Sequence, residues 1–189
     1  MEPAVLDDIK QDAKTRMGKS IDALENELRR LRTGRASSAL VESIKVPYYG
    51  SDMPLSQVAN VAVADSRTLT ITPWEKDMVA PIEKAILGSD IGITPNTAGT
   101  VIRLNLPALT EERRKELAKH VSHEGENSKI AIRNIRRDAL QSVKELLKEK
   151  EISEDDEHRA EDEIQKLTDS FVKQVDEVVK GKEEELMAV

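Results

Sequence analysis

Arg133, Arg136 and Arg137 fall within five residues of the stretch KIAIRNIRRDAL, Lys129–Leu140, in a chain whose formal net charge is -7. A guanidinium does not lose its charge near neutral pH, and its planar fork holds carboxylate or phosphate oxygens in pairs. The chemistry open to this cluster is therefore anion contact and not proton transfer.

Other residue sets resemble sites and fall short on spacing. MGKS, Met17–Ser20, ends like a phosphate-binding loop, but Ala13 stands where the first glycine is needed for the backbone to curl around phosphate. His120 and His123 lie one helical turn apart beside Glu124. A zinc site needs three or four ligands, and only His158 and no cysteine remain to complete one. The acidic run EISEDDEHRAEDE lacks the alternating oxygen ligands and central glycine of a calcium loop, and reads as the N-terminus of a helix. No Ser-His-Asp order and no glycine-rich cradle is present, so no catalytic residue, cofactor or metal is assigned.

The elements that must carry the arginines follow from hydrophobic period. Ile9, Ala13, Met17, Ile21, Leu24, Leu28 and Leu31 recur at spacings of three and four, which predicts a first helix ending near Gly34. Leu117, Val121, Ile132, Ile135, Ala139, Val143 and Leu146 form a second stripe from about Glu111 to Lys150. The polar stretch Glu124–Ser128 interrupts it, and Gly125 there costs roughly 1 kcal/mol of helix stability relative to Ala. A third helix opens with Ser153 and Asp156 in a capping box and continues through Ala160, Ile164, Leu167, Phe171, Val175 and Val178. None of these stripes is buried by its own helix, so three helices packed on one another, about 40 to 60 Å long, are expected.

Between Ala36 and Leu106 the texture changes. Every proline except Pro3 lies between Pro47 and Pro107, and β-branched residues alternate with polar ones. SIKVPYYG, VANVAVAD, RTLTITPW and TVIRLNLP read as strands, and EKDMVAPIEKAILGSD as a helix in which Pro81 must occupy the first turn. The fold class expected is α+β: an elongated three-helix bundle, residues 1–33 and 107–189, with a small β/α/β domain, 34–106, inserted. The chain crosses twice, at Gly34 and at Pro107, and two such crossings predict a hinge.

On the second helix, with Ile132 at zero and about 100° per residue, the core stripe falls near 300° to 20°. Lys115, Lys119, Lys129, Arg133, Arg136, Arg137, Lys144 and Lys148 then fall at roughly 40° to 160°, with Glu126 the one acid noted inside that band, and Asp138, Glu145 and Glu149 on the other flank. The two signs face apart, which argues against pairing within the helix; pairing with the acidic third helix is the competing reading. A long basic strip on a chain with one Phe, one Trp and two Tyr suits phosphate contact on structured RNA better than stacking on bases. The overall negative charge limits indiscriminate binding.

No cysteine is present, no apolar run approaches the ~20 residues of a membrane span, and the first residues lack a signal-peptide pattern. A cytoplasmic protein without membrane contact is expected.

LRTGRAS, VPYYG, DSRTLTI, PNTAG, LPALTEERRKEL, IAIRNIRRDA and KEISEDDEHRAEDEIQKLTD, in this order along essentially the whole chain, closely resemble the bacterial ribosome recycling factors. The resemblance implies a non-enzymatic, monomeric translation factor with the two-domain outline of a transfer RNA. It implies binding to the large ribosomal subunit after termination and, with the GTPase elongation factor G, splitting of the ribosome to release messenger and transfer RNA. By the same resemblance Arg114, Arg133 and Arg136 would contact ribosomal RNA, with Arg32, Arg35 and Arg137 as weaker candidates. A helical adaptor or chaperone-like module that binds proteins and ignores RNA is the alternative from the residues alone.

Overall fold

A computed structural model describes residues 3–31 and 33–188. It divides into two compact units, one holding the chain before residue 32 and from Glu111 onward, the other holding the segment between. The limits lie a few residues from the expected 33/34 and 106/107, so that Thr33 and residues 107–110 fall in the sheet unit, where Leu109 lies beside Gly34. Ala36 N–H donates to Ser66 O at 2.8 Å, and Leu106 N–H donates to Arg67 O at 2.7 Å.

The first unit consists of α1 (Ala4–Arg29), α4 (Glu111–Lys148) and α5 (Glu154–Met187), and each of the three touches the other two. At 1.5 Å per residue, the 38 residues of α4 make a rod about 57 Å long. Met17, Ile21 and Leu24 of α1, Ile132 and Val143 of α4, and Ile164, Phe171 and Val175 of α5 are all buried, as the periodic stripes require. Each such side chain contributes about 1.5 to 3 kcal/mol by leaving water. Three ion pairs between helices, Lys10–Glu163, Arg16–Asp138 and Lys129–Asp176, lie at the rim of this core. Exposed pairs of this kind contribute about 0 to 1 kcal/mol each, so apolar packing rather than charge holds the bundle.

The polar stretch Glu124–Ser128 does not break α4, which runs through it without interruption. Gly125 and Ser128 are both buried there, and the Ser128 hydroxyl donates to Ser20 O of α1 at 3.4 Å. Small residues on this face let the neighbouring helices come close.

α4 ends in a Schellman turn. Glu151 N–H donates to Leu146 O, Lys150 N–H donates to Leu147 O, and Lys150 takes a positive φ of 59°. Ser153 then caps α5 reciprocally with Asp156, which is the capping box expected.

The second unit carries a hairpin, β1 (Lys45–Tyr48) with β2 (Ser51–Pro54), and a four-stranded antiparallel sheet. A single helical turn, α2 (Leu55–Val58), links them. The sheet comprises β3 (Ala59–Asp65), β4 (Thr68–Pro73), β5 (Asn96–Ala98) and β6 (Val101–Asn105) in the order β3-β4-β6-β5. Leu69, Ile71, Ile102 and Leu104 alternate onto its buried side, in one core with Ile82 and Ile86 of α3 (Val79–Leu87). Pro81 does lie in the first turn of α3.

β2 and β5 are strands beyond those expected. Both are short and polar, and turns fold them back onto their partners: Tyr49 and Gly50 have φ of 46° and 86°, and Gly99 has φ of 64°.

Candidate nucleic-acid interface

Arg133, Arg136 and Arg137 project from the middle of α4, where Ile132, Ile135 and Ala139 are buried beside them. Arg133 and Arg137 are exposed, and among the described residues neither has a hydrogen-bonding or ion-pair partner. Arg136 is half-buried. Its Nη1 donates to Gln165 Oε1 of α5 at 3.0 Å, and Gln165 Nε2 in turn donates to Asp169 Oδ1 at 2.8 Å. Arg136 Nε is buried and makes no hydrogen bond, which leaves the guanidinium fixed at one edge only.

The remaining candidates are distributed differently. Arg114 precedes Ile132 by eighteen residues, five full turns, so it has the phase of the core stripe and not that of the basic band. It is half-buried near the start of α4, with Nε buried and without a hydrogen bond. Arg35 is exposed in the crossing segment, in the sheet unit, and Arg32 lies outside the described residues. One helix thus brings together Arg133, Arg136 and Arg137, with Arg114 about 28 Å down the same rod by rise per residue.

The expected segregation of charge along α4 holds only in part. Glu111 falls at about 60°, inside the basic band, and its Oε1 lies 3.2 Å from Lys115 Nζ. Lys129 Nζ lies 3.5 Å from Glu126 and 2.5 Å from Asp176 of α5. The hydrogen bond that Lys129 donates to Asp176 outweighs burial and raises the Lys129 pKa above its ordinary value. Lys129 is therefore paired within the fold and Lys115 meets Glu111 at the surface, while Lys119, Lys144 and Lys148 are exposed with the arginines and have no partner among the described residues. Periodicity cannot find the Asp176 contact, because it depends on the register between two helices.

The other motifs take ordinary helical places. MGKS lies within α1, with Met17 in the core. His120 is half-buried and His123 exposed on α4, and among the described residues no group of three or more His, Cys, Asp or Glu could hold a metal. No described helix is long and apolar enough to cross a membrane. At the crossings, Gly34 has φ of 77°, a Cβ there would lie 3.1 Å from Leu109 Cγ, and Pro107 is exposed.

Fold and face together define an α+β protein that presents unpaired guanidinium groups along a long helix. The chain belongs to the ribosome recycling factor family, whose model matches residues 24–187. It is 63% identical over 183 residues to the ribosome-recycling factor of Thioalkalivibrio sulfidiphilus, covering 97% of this chain and 99% of that one. It is 62% identical to that of Xanthomonas campestris pv. campestris, covering 98% and 100%. A solution structure of the ribosome recycling factor superposes with a TM-score of 0.76 at 41% identity, over 97% of this chain and 98% of that one. The T. thermophilus ribosome recycling factor, from models of it and the E. coli elongation factor G bound to the E. coli post-termination complex, gives a TM-score of 0.64 at 45% identity over 96% and 98%.

Proposed function

We propose that this chain binds the large ribosomal subunit after termination and, with elongation factor G and GTP, splits the ribosome to free messenger and transfer RNA. The observation that carries the binding face is the exposure of Arg133 and Arg137, without partners among the described residues, beside an Arg136 oriented by Gln165. Guanidinium groups in that state have no internal anion to give up before they meet phosphate, and a long face of backbone contacts suits structured RNA. Arg114 and Arg35, and Arg32, are the outlying candidates for the same role. Membership of the family and the post-termination assembly of the T. thermophilus relative support the partners.

In this reading the chain acts as a monomer in the cytoplasm, without a cofactor, and catalyses no reaction itself; GTP is consumed by elongation factor G. Gly34 and Pro107 form the hinge. Because Gly34 holds a positive φ that proline cannot adopt, Gly34→Ala is the gentler probe, and it should lower splitting while large-subunit binding stays unchanged. Undiminished splitting would remove the hinge role.

The deciding experiment is release of subunits from post-termination ribosomes by this protein with elongation factor G and GTP. Arg133→Glu and Arg136→Glu should each abolish large-subunit binding with helical circular dichroism retained. Unchanged binding in both would sink the assigned face.

A further inference from the structure

Two of the chain's four aromatic residues, Tyr48 and Tyr49, meet in the sheet unit at one carboxylate, Glu75. Tyr48 Oη donates to Glu75 Oε1 at 2.8 Å, and Tyr49 Oη donates to Glu75 Oε2 at 3.3 Å. The two tyrosine rings meet edge to face with centroids 4.5 Å apart. Trp74 immediately precedes Glu75. Tyr49 and Trp74 are 82% and 66% exposed, although aromatic side chains of this size are the ones a core would claim.

Two local features run against the bland reading of a hairpin tip. Tyr49 and Gly50 are the two central residues of the turn joining β1 to β2, and both have positive φ. That turn type favours Asn-Gly, and a tyrosine in its first position is strained. Glu75 stands at the N-cap of the short turn Lys76–Met78, yet its side chain makes no capping hydrogen bond and goes to the tyrosines instead. Chain conformation is thus set against local preference in both places, and each departure serves the same aromatic-carboxylate cluster.

We propose that Glu75, held by Tyr48 and Tyr49, forms a docking site for an arginine side chain of a protein partner. Each oxygen of the Glu75 carboxylate accepts one tyrosine hydroxyl and keeps a further lone pair, so the pair of oxygens is held in place to receive a guanidinium fork. The exposed Tyr49 adds an aromatic ring next to the carboxylate, a group on which guanidinium also stacks. Charge decides against RNA as the occupant. The carboxylates of Glu75 and Asp77 both act on Tyr49, Glu75 most strongly, and raise its hydroxyl pKa above the ordinary value. A phosphate backbone would meet that same negative field. The cluster stands independent of how α4 is used.

Trp74 is the chain's single tryptophan, so its fluorescence in the full chain reports on the site without a label. Titration with N-acetyl hexa-arginine amide should give a saturable change. Glu75→Gln and Tyr49→Asn should each weaken the apparent affinity by about tenfold. Tyr49→Asn is chosen because asparagine suits the turn and should keep the hairpin folded. Arg133→Glu should leave the titration unchanged. Absence of a saturable signal, equal affinity in both site variants, or tighter binding of hexa-adenylate than of the arginine peptide would each overturn the proposal.

Discussion

Gly125 of α4 lies so close to Val179 of α5 that a Cβ at position 125 would stand 2.5 Å from Val179 Cγ2, with Val175 Cγ1 at 3.9 Å. The glycine is therefore a packing requirement of this helix pair. Gly125→Ala should gain about 1 kcal/mol of helix propensity and lose about 1 to 3 kcal/mol to overpacking against a β-branched side chain with few rotamers. A net destabilisation of about 1 kcal/mol is expected by chemical denaturation. In a Val179→Ala background the same change should become stabilising by about 0.5 to 1 kcal/mol, since only the propensity difference is left. Additive single and double variants would show that the close approach has no energetic consequence.

Arg136 and Gln165 give a second test, which separates positioning from charge. Gln165→Ala removes the acceptor that orients the guanidinium but leaves every cation in place. Large-subunit binding should weaken by a few fold, the size of roughly one hydrogen bond, with the salt dependence unaltered. Arg133→Ala should instead lower the slope of log affinity against log salt by roughly 1, as expected when one cation no longer neutralises a phosphate. A salt-independent affinity in the parent protein would favour the protein-binding adaptor over an RNA contact.

The sequence made the three long helices legible because burial on one face enforces a period that local propensity cannot disguise. Ile132, Ile135 and Ala139 sit in the core where that period puts them. What lay beyond reach depended on neighbours. Gly125 reads locally as a weakness in the helix, and its reason resides in Val179, more than fifty residues away. Lys129 reads as part of an open basic strip, yet Asp176 neutralises it from another helix. β5 has only three residues, Asn96–Ala98, and carries too little pattern to declare itself without β6. In the candidate face, residue type and phase located Arg133, Arg136 and Arg137, whereas which cations remain unpaired is a property of the packed bundle.

The capping box at the start of α5 predicts an acid-sensitive contribution to stability. Ser153 N–H and then the Ser153 side chain stabilise the ionised Asp156 carboxylate, Arg159 adds to this, and its pKa falls below the ordinary 3.8. A carboxylate with a lowered folded-state pKa stabilises the protein above its unfolded value, and that stabilisation fades as pH falls through 3.8 toward the depressed value. Asp156→Asn should therefore lower Tm near neutral pH, and the gap from the parent should close below about pH 3.8. A gap that stays constant across that range would assign the loss to something other than the charge.

The turn between α4 and α5 supplies a stabilising change. Lys150 occupies the left-handed position of the Schellman turn with φ of 59°, where a Cβ is disfavoured by about 1 to 2 kcal/mol. Its N–H donates to Leu147 O at 3.0 Å, a bond that glycine keeps, and its side chain is exposed. Lys150→Gly removes the steric cost and adds about 0.5 to 1 kcal/mol of unfolded-chain entropy. The balance is an expected gain of roughly 0.5 kcal/mol, seen as a higher denaturation midpoint with an unchanged slope. Lys150→Ala keeps the Cβ and discards only the charge and stem, so it should show no such gain. If alanine and glycine raise the midpoint equally, relief of backbone strain is not the cause, and loss of the lysine side chain is.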